Sequence, residues 1–179
     1  MKQVVYIIII ATIFTVSLSV YKTFIAITHP IKYNEEINLY AKEYDLNPSL
    51  VASVINVESS YKPKAKSNKN AIGLMQMQLK TANYLNDLYN LNEINEKDLF
   101  DEKTNIKYGC LYLKYLQNKF QDDFTSLAAY NAGETRVRVW LNDENYSKDK
   151  KTLINIPYKE TKNYLIKIKS NLKFYNKYY

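Results

Sequence analysis

Residues 3–21 carry no charge, a run of nineteen positions bounded by Lys2 and Lys22. Its centre reads Val4-Val5-Tyr6-Ile7-Ile8-Ile9-Ile10-Ala11-Thr12-Ile13-Phe14-Thr15-Val16. Backbone amides can be satisfied in so apolar a segment by a helix, which would span ~28 Å, close to the hydrocarbon thickness of a bilayer. The run exceeds the usual apolar core of a signal peptide, and Ser17-Leu18-Ser19 is the nearest approach to a cleavage site. A retained anchor over residues 1–22 is therefore the expectation, with a cleaved signal as the alternative and the chain beyond Lys22 on the outer side. Residues 23–33 read as a connector in which His29-Pro30 breaks the helix.

What remains, residues 34–179, is the length of one ordinary domain. Hydrophobic residues make up 46% of the chain and charged residues 24%, a globular composition. Three Gly and four Pro leave little material for the tight turns of an all-β fold. A single Cys (Cys110) excludes an internal disulfide framework, and a single His (His29) excludes a histidine metal cluster. Chemistry here must run on carboxylates, hydroxyls and amides. The net charge of +7 lies wholly in the last 32 residues, where nine Lys face one Asp and one Glu. Residues 1–147 sum to zero. Such a tail is either a solvated helix face or an attraction to an anionic surface. With two Arg in the chain and no nucleic-acid module, nucleic acid is not expected.

Helical spacing recurs throughout. Ile37, Tyr40, Ala41 and Tyr44 share one face from Glu35 onward. Asn47 caps a helix that opens on Pro48. Residues 60–72 read as a polar loop. Further helices are expected over 81–89, 104–120, 124–132 (capped by Asp123 and ended by Gly133) and 137–141. A last one opens at Pro157, its inner face formed by Thr161, Tyr164, Leu165, Ile168, Leu172 and Tyr175. No run alternates with period two over a useful length.

The helix from Pro48 to Ser59 carries the most informative residue. Ile55, Val54 and Val51 lie three, four and seven positions before Glu58, so Glu58 sits on the apolar face. It also sits in the last turn, where the helix dipole is negative. Both influences disfavour the carboxylate and raise its pKa, as a general acid requires.

Four motifs follow in order: Glu58-Ser59; Gly73-Leu74-Met75-Gln76; Ala129-Tyr130-Asn131-Ala132-Gly133; and Ile156-Pro157 with Glu160-Thr161 and Tyr164. Gly109, inside Asn105-Ile106-x-x-Gly-x-x-Tyr112-Leu113, adds a fifth match. Together they resemble the SLT domain of lytic transglycosylases, which is similar in fold to goose-type lysozyme, from about Asn34 to Leu172. The resemblance implies a mainly α, lysozyme-like single domain behind the N-terminal helix, with a basic C-terminal helix. It implies action on the glycan strands of peptidoglycan, cleaving between N-acetylmuramic acid and N-acetylglucosamine and leaving 1,6-anhydro ends. Glu58 matches the family's catalytic acid/base. Ser59, Gln76, Gln78, Tyr130, Asn131 and Glu160 match positions that order the carboxyl group or bind substrate, with the Tyr130 hydroxyl facing the catalytic Glu. Neither metal nor cofactor is implied. A lysozyme-type hydrolase, or a membrane-tethered wall-binding component of an envelope machine whose partner is unnamed, are the alternatives. The sequence departs from the family at Lys62-Pro63, at Asn70 and at Gln78-Leu79-Lys80-Thr81-Ala82, where Met-Pro-Gly-Thr-Ala is common. Asn70 can stand at positive φ in place of Gly. Cys110 reads as a buried, inert thiol.

Overall fold

The computed structural model describes residues 2–179, which divide into two units at Lys32/Tyr33. The first is a helix, α1 (Lys2–Thr28), with no buried side chain and a mean hydropathy of 2.3 in its most apolar window. It is long and apolar enough to cross a membrane. Three threonines inside it donate to backbone carbonyls of the preceding turn, Thr12 to Ile8, Thr15 to Thr12 and Thr28 to Phe24, so their hydroxyls present no free donor. The helix runs through much of the stretch expected as connector because Phe24-Ile25-Ala26-Ile27 continues it until Pro30.

The second unit has its own hydrophobic core, drawn from residues 37–175. It contains α2 (Asn34–Glu43), α3 (Pro48–Ser59), β1 (Ala71–Ile72), β2 (Met77–Gln78), α4 (Leu79–Tyr89), a 3-10 turn at Asp98–Phe100, α5 (Glu102–Phe120), α6 (Asp123–Ala132), α7 (Glu134–Leu141) and α8 (Lys159–Tyr175). The expected helices are present. α4 begins two residues early, since Leu79-Lys80 contains neither Pro nor Gly to delay the helix. α6 is capped by Asp122 rather than Asp123: the Asp122 carboxylate accepts from the Thr125 amide and hydroxyl.

Helix α3 is central. Its residues from Ser49 to Asn56 are buried on every side, so it is wrapped rather than amphipathic. α8 and α2 flank it, while α5 packs against α2, α4 and α6. α6 in turn touches α7 and α8. Among the described residues the one sheet is an antiparallel pair, Ala71 opposite Gln78 and Ile72 opposite Met77. Two-residue strands leave no alternation to read, which is why the sequence showed only a loop there.

The turn between β1 and β2, residues 73–76, is held from three helices at once. From α3, the Ser59 hydroxyl donates to the Leu74 carbonyl at 2.8 Å. From α5, the buried Asn105 amide donates to the carbonyls of Ile72 (2.8 Å) and Leu99 (2.7 Å), and its oxygen accepts from the Met75 amide at 2.7 Å. From α6, the Tyr130 hydroxyl donates to the Met75 carbonyl at 2.8 Å. Gly73 takes φ +77°, and a Cβ there would lie 2.6 Å from the Asn105 Cγ. Asn70 is at φ +57° and Gln76 at +50°, so this hairpin is built on left-handed corners. Gly109 on α5 is the other tight position: a Cβ would come within 2.7 Å of the Met75 Cβ.

Candidate active site

A cavity of about 570 Å³ opens over this hairpin. Glu58 lies at its base, at the C-terminal end of the buried helix α3, and is half-buried. Gln76 and Gln78 come from the hairpin, Tyr130 and Asn131 from the end of α6, and Glu160 from the first turn of α8. Six of the seven site residues expected from sequence thus line one cavity. Ser59 does not. It faces the opposite way, buried, with its hydroxyl between the carbonyls of Ile55 (3.1 Å) and Leu74 (2.8 Å). Its one proton is committed to the backbone, so it shapes the wall from behind.

Burial pushes the Glu58 carboxyl up to about 7 from an ordinary 4.5, and the like charge of Glu160 pushes in the same direction. The Tyr164 hydroxyl, from the inner face of α8, acts against them and lowers it. Tyr164 is buried and its hydroxyl has no hydrogen bond of good geometry, so Glu58 is the neighbour it is placed to serve. Tyr130 shares the cavity wall with Glu58 and is fastened to the hairpin. Its hydroxyl donates to the Met75 carbonyl rather than to Glu58, while burial, with the Glu58 charge adding to it, holds the phenol well above its ordinary range. It remains a protonated wall residue beside the carboxylate.

The other polar groups are oriented by local bonds. The Asn131 oxygen accepts from the Thr161 hydroxyl at 2.8 Å, which points its amide N–H₂ away from α8. The Gln76 amide donates to the Gly73 carbonyl at 3.0 Å, leaving its own oxygen as an acceptor. The Gln78 amide donates to the Lys69 carbonyl at 3.0 Å and ties the hairpin to the preceding loop. Asp101 and Asp122 cap helices α5 and α6, and neither they nor Glu102 and Asp123 reach the cavity.

Three lining side chains, Tyr112, Lys69 and Arg136, and the buried Tyr164 behind Glu58 were not among the expected site residues. Tyr112, flagged only as part of a motif, forms wall against Tyr130, their ring centroids 5.3 Å apart. Lys69 and Arg136 bring positive charge to the rim, Arg136 lying over the Tyr158 ring at 5.1 Å. Tyr164 stood in the last motif and on the inner face of α8, and neither placement gave it a role toward Glu58. Among the described residues no three His, Cys, Asp or Glu side chains gather as a metal site would require.

Residues 35–154 match the family model for the transglycosylase SLT domain. The chain belongs to that family. The matched span stops short of α8, so Glu160 and Tyr164 lie outside it. The chain is 33% identical over 154 residues to the soluble lytic murein transglycosylase of Salmonella typhimurium, covering 84% of this chain and 23% of that one. It is 34% identical over 135 residues to the membrane-bound lytic murein transglycosylase E of Buchnera aphidicola, covering 69% and 58%. Among solved structures it resembles an inactive Glu-to-Gln variant of a lytic transglycosylase from Pseudomonas aeruginosa. That match has a TM-score of 0.75 at 27% identity and covers 86% of this chain and 25% of that one. The lysozyme-like, mainly α fold is thus shared with the family, while the chain spans about a quarter of the length of the soluble relatives it matches.

Proposed function

We propose that this SLT domain is a peptidoglycan lytic transglycosylase in which Glu58 acts alone as general acid and then general base. The reaction cleaves the β-1,4 bond between N-acetylmuramic acid and N-acetylglucosamine. Glu58 first protonates the leaving glycosidic oxygen. The substrate's acetamido group stabilises the cationic anomeric carbon from the opposite face. Ionised Glu58 then takes the proton of the muramoyl C6 hydroxyl as that oxygen bonds to C1, which gives the 1,6-anhydro end and restores the acid. Atoms and protons balance without water, metal or cofactor.

The observation that carries this reading is the placement of Glu58, at the end of the buried helix α3 and lining one cavity with Gln76, Gln78, Tyr130 and Asn131, where burial pushes its carboxyl up to about 7. A single residue that must donate and then accept a proton works best when its pKa lies near the working pH. Glycosidases that use two carboxylates divide these roles between them. The inactive Glu-to-Gln state of the P. aeruginosa relative supports the same assignment. α1, read with the membrane-bound relative, supports an anchored protein whose catalytic unit acts outside the membrane.

One observation favours a hydrolytic second reading: Glu160 also lines the cavity and could activate water. The transglycosylase reading gives Glu160 another task, keeping Glu58 protonated by like charge. Digestion of purified sacculi separates the two. Anhydro ends, lighter by one water and resistant to borohydride, are expected from wild type. Glu160→Gln should keep cleaving with its profile moved to lower pH. Glu58→Gln should lose activity by two or more orders of magnitude, the scale of general acid–base catalysis. Reducible ends alone, abolished in Glu160→Gln, would establish the hydrolase.

A further inference from the structure

The basic C-terminal segment gains geometry in the structure. At 100° per residue, Lys159, Lys162, Ile166, Lys169 and Lys173 fall within an arc of roughly 80° along α8. All five are exposed, Ile166 by 59%. None of the four lysines forms an ion pair among the described residues, whereas Lys66, Lys114 and Lys119 elsewhere do. The helix's acid, Glu160, points into the cavity from a bearing roughly 140° around the helix from the centre of the stripe. The lysines therefore form a continuous cationic face, on a unit whose remaining charges cancel.

We propose that this face of α8 docks on an anionic bilayer surface. Two features favour lipid over a soluble polyanion. An exposed isoleucine interrupts the lysines at the middle of the stripe, and an aliphatic side chain gains by entering the headgroup boundary while it gains nothing from a hydrated phosphate chain. The unit is also covalently continuous with α1, a helix of bilayer length. The proposal rests on reading α1 as membrane-embedded, which makes docking effectively intramolecular. A unit seated on this stripe presents the cavity side of α8 away from the lipid, toward a glycan strand. Lysine stems flanking Ile166 reach past it so that their ammonium groups lie at the phosphates.

The test uses residues 33–179, which hold a complete core without α1. Co-sedimentation with vesicles of phosphatidylglycerol mixed with phosphatidylcholine should show binding that weakens as salt is raised, and phosphatidylcholine alone should show little. Each lysine is worth about fivefold in such binding, so replacing Lys159, Lys162, Lys169 and Lys173 by Gln should cost several-hundred-fold. Replacing the exposed Lys42, Lys64, Lys97 and Lys103 by Gln removes the same net charge and should cost far less. Equal losses in the two variants, equal binding to both lipids, or binding to soluble polyphosphate without binding to the charged vesicles would overturn the proposal. Cleavage of soluble glycan by the fragment is read separately. A failure there with docking intact would instead strike the catalytic reading, and fractionation of the full chain tests the anchor independently.

Discussion

Glu58 is held in a state that costs the fold. Its carboxyl has a pKa of about 7 in the folded unit against 4.5 for the ordinary group. Between those values the native state holds a proton that the unfolded chain has released, so stability falls as pH rises from about 4.5 to 7 and then levels. The full shift corresponds to about 3 kcal/mol. Glu58→Gln carries no such loss. In urea titrations it should be more stable than wild type at pH 8 and gain little at pH 4, the reverse of its effect on activity. Tyr164 supplies a second check at this scale. Because its hydroxyl lowers the Glu58 pKa, Tyr164→Phe should raise it further, seen by carboxyl-carbon NMR and as an alkaline displacement of the Glu58-controlled limb of the rate profile. The Phe variant should fold normally, since it removes a buried hydroxyl that has no hydrogen bond of good geometry. Glu58 itself was legible in sequence from its neighbours Val51, Val54 and Ile55. Of the groups that tune it, Glu160 was expected at the site, whereas the part of Tyr164 was not legible, because a tyrosine in an apolar helical stripe has no spacing that says what its hydroxyl meets.

Among elements, the hairpin turn matters most. Residues 73–76 are fastened to α3 by Ser59, to α5 by Asn105 and to α6 by Tyr130. The cavity wall therefore has the rigidity of three helices although it is made of loop. Gly109 is where this arrangement has no slack. Gly109→Ala gains helix propensity of about 1 kcal/mol, but its methyl would drive into the Met75 side chain, an overpacking cost of about 1–3 kcal/mol. A net loss of about 1 kcal/mol is expected in thermal unfolding. Cleavage should fall more than stability, because a shifted Met75 carries the carbonyl that holds Tyr130. The helices around this turn were readable from caps and periodicity: Asn47 accepts from the Ser49 amide, and Gly133 at φ +90° ends α6. The hairpin was not, since its pairing depends on partners thirty residues away on α5.

For the whole molecule, the proposed membrane location rests on α1. Full-length protein should partition with membranes and resist salt extraction, and residues 33–179 alone should be released from those membranes by salt. A soluble species beginning near Val20 in cell fractions would show that the segment is removed. A protein made this way also has an order of assembly. Glu58 and the residues that tune it, Glu160 and Tyr164, stand about a hundred residues apart, and α3 is sheathed by α8. A chain emerging from its N-terminus exposes the acid helix long before the helix that seats it. Until residues 159–175 arrive, Glu58 lacks the α8 packing and the Glu160 and Tyr164 neighbours that set its carboxyl in the folded unit, and the site is expected to be incomplete. On the function proposed above, a chain whose residues 159–175 have not yet packed on α3 would spare the glycan beside it.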